Sequence, residues 1–369
     1  EASGHLAFFK NMKLRQIIKE NHGAAIKHVS RCRVVGKENL VATVGANQMN
    51  VYDNEHFGPN LDLFMHFENP KGDRGEDADL ELCRWLSVSP KPLLPAADDV
   101  YISVTERSGH ILIISLSYKQ VIRRLEGHTC SVTDLAQHPN HPNLLLSSSD
   151  DKSIRLWDLL SGKCLQTFDF DSSHPRALLV FEDHVIAGDS AGCVLKWKLP
   201  ATVLEATTPA GDQELPVVSS DAFVLSRAQA TQILKIDGKI DNLANTPAGL
   251  LVKTQTGLFS VFKPDSTKAD TTWRLKGCDG TSRIGVDADG KYVVGGNASS
   301  QLFIYSTATG SKMAKLQFKR ARGAVTAAEF NPNCSNVLVA TDDSFLWRWD
   351  YVVPGSLADG GPGLAGEEA

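Results

Sequence analysis

His128, Ser147, Asp151 and Trp157 are the residue types from which a hydrolytic site could be assembled. A serine, an imidazole and a carboxylate supply a nucleophile, its base and the group that orients the base. The same types also make a structural relay, in which a buried imidazole and carboxylate find partners through a hydroxyl and an indole N–H. The framing favours the relay: Gly127-His128 opens and Trp157-Asp158 closes one unit of a repeat that the rest of the chain shares. The four are therefore read as a structural tetrad. Gly188-Asp189-Ser190-Ala191-Gly192 matches G-x-S-x-G, whose serine is exposed by a sharp turn from a strand into a helix. Apolar strand-like residues stand on both sides of it here, so the glycines are read as serving a hairpin turn. His138 and His141 offer two imidazoles, but Pro139 and Pro142 make their segment a turn and no third ligand is near. There is no Walker A sequence, no H-E-x-x-H and no dinucleotide fingerprint. No catalytic residue, metal or cofactor is expected, and the chain is read as a non-enzyme.

The elements that must position these residues recur along the chain. Seven short stretches ending in a bulky residue resemble one another, at 50–53, 111–116, 154–159, 194–199, 258–263, 302–306 and 345–350. With Tyr52, Ile114, Trp157, Trp197, Phe262, Tyr305 and Trp349 as equivalents, most intervals are about 40 to 45 residues, the WD40 period. The two longer intervals contain polar stretches, 70–79 and roughly 201–221, read as loop insertions. Runs such as Leu144-Leu145-Leu146 and Val337-Leu338-Val339 precede a polar turn and then the bulky strand. A four-stranded blade cannot bury both faces alone, so such units must stack around a ring. The expectation is an all-β, seven-bladed WD40 propeller forming a single domain over 1–353. Residues 12–20 are expected to close its last blade. The Gly- and Pro-rich stretch 354–369 is expected to be flexible, because it has too few large apolar groups to offset its ordering entropy.

Composition narrows the function. A formal net charge of -5 gives no global attraction to nucleic acid or membrane, so neither a membrane role nor direct sequence-specific nucleic-acid binding is expected. Seven cysteines, an odd number with no CxxC pair, fit reduced thiols better than a disulfide framework or zinc ribbon. The acidic residues Asp73, Glu76, Asp77, Asp79 and Glu81 are read as a solvated inter-blade loop able to attract a basic tail. The first residue is Glu1 and not Met, so the chain is read as a piece of a longer one.

Beyond the repeat, the chain resembles one WD40 family, embryonic ectoderm development or extra sex combs, a core subunit of Polycomb repressive complex 2. The resemblance is carried by Leu40-Val41-Ala42-Thr43-Val44-Gly45 with Val51-Tyr52, and by Ile122 and Gly127-His128 leading into His138-Pro139. It continues through His141-Pro142-Asn143-Leu144-Leu145-Leu146-Ser147 and Ile154-Arg155-Leu156-Trp157 to Asp342-Asp343-Ser344-Phe345-Leu346-Trp347-Arg348-Trp349-Asp350. It is good over blades one to three and seven, and poor over four to six. The resemblance implies a nuclear, non-catalytic scaffold that binds a SET-domain histone methyltransferase subunit and other complex subunits. It also implies an aromatic cage for trimethyl-lysine, where ring faces attract the quaternary ammonium. Alignment with the family puts Lys27, Glu81, Thr281 and Ser282 at the four cage positions, and none is aromatic. Methyl-lysine reading is therefore expected to be lost, which leaves an unmethylated basic histone tail as a further partner. The alternative is a generic WD40 adaptor such as a ubiquitin-ligase substrate receptor. Such receptors commonly carry arginine two residues after Trp-Asp, whereas here Leu159-Leu160 follow Asp158 and Tyr351-Val352 follow Asp350.

Overall fold

A computed structural model of the chain describes residues 8–54, 62–70, 78–87, 99–206, 224–264, 266–278, 280, 282–317 and 321–354. Asp73, Glu76, Asp77, much of the second polar insertion and residues 355–369 lie outside them. The described residues form seven sheets arranged as a β-propeller, each a set of four antiparallel strands, one of them with an added strand.

Each sheet begins with an innermost strand. In blades one to seven these are His28–Arg31, Leu80–Leu86, Val132–Gln137, Pro175–Phe181, Ile240–Thr246, Gly285–Val286 and Val325–Phe330. The repeated bulky stretches all become third strands, namely Gln48–Asp53, Ile111–Ser115, Ser153–Asp158, Cys193–Lys198, Leu258–Phe262, Gln301–Ser306 and Phe345–Tyr351. Second strands are sandwiched between neighbouring sheets: Leu40–Gly45, Tyr101–Glu106, Leu144–Ser149 and Asn336–Thr341 are buried along their whole lengths. Burial on both faces suits the apolar run Val337-Leu338-Val339-Ala340, and the polar residues of the other second strands, such as Ser103, Thr105 and Ser147, are buried as well.

The core is divided the way the ring requires. Among the described residues seven hydrophobic clusters form, one between each pair of neighbouring blades. Alternate residues of one strand face opposite interfaces. Leu145 packs toward blade two with Tyr101 and Ile113, while Leu144 and Leu146 pack toward blade four with Val185 and Leu195. No blade owns a core by itself, so stacking and ring closure make the core.

Two segments depart from simple succession. Met12–Lys19 pairs antiparallel with Phe345–Tyr351, running from Met12 opposite Tyr351 to Lys19 opposite Phe345, so both ends of the described chain share blade seven. Phe9 and Met12 extend the cluster between blades six and seven. In the second long interval, a short helix, Ala201–Ala206, follows the third strand of blade four. Then Val224–Ser226 adds a fifth, parallel strand to the outer edge of blade three before Thr231–Lys235 completes blade four. The stretch read as a loop insertion, roughly 201–221, begins with the short helix and otherwise lies outside the described residues; Val224–Ser226, just beyond it, covers an edge whose N–H and C=O groups would otherwise face solvent.

Candidate functional site at the upper rim

The rim where the innermost strands begin, here called the upper rim, carries the loops that enter each blade and the turns between second and third strands. Relays of buried polar groups hold these loops in place. In blade three, Trp157 donates its indole N–H to Ser147 Oγ at 2.8 Å, and His128 Nε2 lies 2.7 Å from the same oxygen. His128 Nδ1 lies 2.7 Å from Asp151 Oδ2. Tryptophan can only donate, so the proton direction that satisfies every group runs Trp157 to Ser147 to His128 to Asp151. Asp151 Oδ1 also accepts from the backbone N–H and hydroxyl of Ser153. Burial raises the Asp151 carboxyl, but His128, Ser153 and the Thr129 N–H outweigh it and hold the carboxyl well below the ordinary range. Ser147 is fully buried, which gives its hydroxyl no access to a substrate.

Equivalent junctions in other blades use different residues, and the sequence reading missed them. In blade one, Tyr52 donates its hydroxyl to Glu20 Oε2 at 2.5 Å, Asn50 donates to the same oxygen at 2.8 Å, and Thr43 donates to Oε1 at 3.0 Å. His22 reaches Thr43 Oγ1 at 3.2 Å. In blade two, Glu106 takes Asn69, Ser108, His110 and Arg124. In blade four, the buried Asp189 takes Ser173 Oγ at 2.8 Å and Arg227 Nη1 at 3.0 Å. Asn21-His22-Gly23 was the one available signal, a histidine–glycine pair just ahead of the first blade.

The other motifs that imitate chemistry are turns. Ser190 lies between antiparallel strands His184–Asp189 and Cys193–Lys198, with no helix following it. Gly192 has φ +83°, and a Cβ there would run into the carbonyl of Ile236, so both geometry and space require glycine. His138 Nδ1 accepts the backbone N–H groups of Asn140 and His141 at 3.2 Å each, and burial followed by the nearby His141 pushes its pKa down to about 4. It is a neutral side chain that ties its own turn.

Of the four positions implied by the family cage, three are described; Thr281 lies outside the described residues. Lys27 is exposed beside the entry to blade one, its N–H donating to Val44 O at 2.8 Å. Glu81 is half-buried at the start of blade two. Burial raises its carboxyl, Asp150 adds to the rise, and Ser131, Arg107 and Lys27 oppose it, so the Lys27 and Glu81 charges sense each other. Ser282 is buried on the blade-six side, and its carbonyl accepts from Lys253 Nζ and Asn242 Nδ2, each at 3.1 Å. Lys253 in turn pairs with Asp241 at 2.7 Å. The rim at these positions is thus built from ions and hydrogen bonds. Lys253, Asp241, Arg107, Ser131 and Asp150 were absent from the sequence reading, although a lone lysine inside Leu250-Leu251-Val252-Lys253 was a signal for a buried ion pair.

The fold and its repeated unit define a WD40 β-propeller, and the WD domain, G-beta repeat family matches residues 119–158. Within that class the chain is similar to Polycomb proteins. It is 23% identical to Polycomb protein esc of Drosophila virilis over 366 residues, covering 90% of this chain and 83% of that protein. It is 32% identical to Polycomb protein esc of Musca domestica over 167 residues, 44% of this chain and 36% of that protein. Polycomb group protein FIE1 of Zea mays matches at 22% identity over 317 residues, 76% of this chain and 63% of that protein. The matched segment thus spans about a third of the Musca relative and most of the Drosophila virilis one.

Proposed function

We propose that the chain is a non-catalytic scaffold subunit of a histone H3 lysine methyltransferase complex similar to Polycomb repressive complex 2, acting in the nucleus. Its work is to bind the SET-domain subunit and the other members of that complex. The observation that carries this reading is similarity to a Polycomb esc protein along nearly the whole chain, at 23% identity over 366 residues. A long apolar and basic segment of the methyltransferase would lie along the wall or one face of the ring, gaining affinity from groove and loop contacts. Affinity purification from the source cell tests this. A SET-domain protein is the expected partner, and recovery of a cullin adaptor in its place would favour the ubiquitin-ligase alternative.

The second part of the proposal is that the upper rim does not read trimethyl-lysine. A quaternary ammonium needs ring faces that attract it and shed its water. Lys27 supplies a like charge, Glu81 is already engaged with Ser131, Arg107 and Lys27, and the Ser282 carbonyl is tied to a buried lysine. An unmethylated lysine keeps the N–H donors that trimethylation removes, so the Glu81 and Asp150 carboxylates can accept hydrogen bonds from a basic histone tail where they cannot from trimethyl-lysine. In calorimetric titration, a trimethyl-lysine H3 peptide is expected to give no saturable heat. Micromolar binding by the wild-type protein would refute the loss of reading.

A further inference from the structure

The bore of the ring holds a chamber of about 720 Å³, lined by innermost-strand residues of blades two to seven and by Arg33 just past the innermost strand of blade one. Three arginines enter it from three directions: Arg33 follows the innermost strand of blade one, Arg84 lies on that of blade two, and Arg283 precedes that of blade six. Arg283 spans the bore, donating through Nη2 to the Thr133 carbonyl of blade three. Its Nη1 lies 3.4 Å from Asp134 Oδ1 and 3.4 Å from the Asp241 carbonyl. Arg84 Nη2 shares the same Asp134 oxygen, also at 3.4 Å, and Arg33 Nη2 reaches Val286 O at 3.2 Å.

These contacts under-use the guanidiniums. Asp134 already accepts the backbone N–H of Leu135 on Oδ1 and of Leu178 on Oδ2. Two guanidiniums therefore share one crowded oxygen at distances longer than the roughly 2.7–2.9 Å of well-made charge-assisted bonds. Each guanidinium carries about five N–H donors, and few of them are spoken for among the described residues. Among the described residues the other carboxylate at this level is Glu329, whose pKa burial raises while Arg33, Arg84 and Arg31 oppose. Neighbouring groups register the surplus of positive charge. Burial, then Arg84, then Arg283 lower the pKa of His28. At the lower lip, Asp287 accepts the Tyr292 N–H at 2.7 Å and Asp289 pairs with Lys291 at 2.8 Å, so those carboxylates are turned to partners of their own.

The geometry points to a binding site for a phosphate monoester in this chamber, held by Arg33, Arg84 and Arg283 and entered from the lower rim. Donors converging from three blades suit the several oxygens of a phosphate better than a planar carboxylate, which one arginine fork can satisfy. The chamber is larger than a phosphate group and lies within the usual range of about 300–1,000 Å³ for small-molecule sites, so the group would be carried on a larger body. That body is either a free metabolite or a phosphorylated side chain of a docked protein. The inference is independent of the scaffold reading, because it needs no methyltransferase.

Titration calorimetry of the whole chain in low-salt chloride buffer, with inorganic phosphate and with a phosphoserine peptide as probes, tests it. Saturable binding of either probe is expected. Similar affinities indicate a site for free phosphate compounds, and a tighter peptide indicates a partner-borne group. R33Q and R84Q are each expected to weaken binding about tenfold, the weight of one charge-assisted hydrogen bond, and R84K is expected to keep part of it. Thermal unfolding of the same variants confirms that the ring is intact. Absence of saturable binding to both probes, or unchanged affinity in a folded R33Q/R84Q double variant, overturns the site.

Discussion

The Lys253–Asp241 ion pair beneath the upper rim offers a quantitative test of how this face is held. Its side chains are 1% and 2% exposed, Nζ lies 2.7 Å from Oδ2, and Nζ also serves the Ser282 carbonyl. Asp241 Oδ1 has no hydrogen-bond partner among the described residues. Lys253→Met therefore strands a buried carboxylate, which costs about 3–5 kcal/mol. Against the roughly 5–15 kcal/mol stability of a folded protein this is a large fraction. With about 2 cal/mol/K of unfolding entropy per residue over a chain of 369 residues, the loss corresponds to a fall in Tm of about 4 to 7 °C. Asp241→Leu strands the ammonium and is expected to cost a similar amount. The double variant removes both charges and is expected to return to within about 2 kcal/mol of wild type, because the desolvation penalty disappears with the pair. Urea unfolding of the four proteins completes the cycle. If each single substitution costs under about 1 kcal/mol, or the double equals the sum of the singles, the account of the rim as an ion-paired structure is wrong.

Two further outcomes follow from the blade-three relay. Ser147→Ala leaves the Trp157 indole N–H and His128 Nε2 buried without their shared partner, and urea unfolding is expected to show a loss of about 2–4 kcal/mol; a near-neutral result would deny the relay its structural role. Because the folded-state Asp151 carboxyl sits below its unfolded value, its stabilisation is complete above the ordinary aspartate range and is lost as pH falls through the depressed folded value. Asp151→Asn is expected to be less stable than wild type near neutrality and to show a shallower acid decline, measured as the urea midpoint at stepped pH; an unchanged slope would count against the linkage.

The propeller was legible because its information is local and repeated. Each third strand ends in a bulky residue that packs beside a neighbouring blade, so Trp157, Trp197 and Tyr305 mark the period without knowledge of the ring. The blade-three tetrad was legible for the same reason, since all four residues fall within one unit. The junctions of blades one, two and four were not. Burial demands only that each polar group be satisfied, and Glu20 with Tyr52, Glu106 with Arg124, and Asp189 with Arg227 meet that demand with residues that no single motif describes.

By itself the sequence determined the architecture, the number of blades, the Polycomb resemblance and the absence of rings at Lys27, Glu81 and Ser282, all of which depend on residue type and spacing. Only the tertiary structure decided that Val224–Ser226 covers the edge of blade three, that Lys253 lies under Ser282, and that Arg33, Arg84 and Arg283 meet in one bore. The physical reason is ring closure. Stacking seven sheets brings residues far apart in the chain to a common axis, and no local period encodes which of them will face one another there.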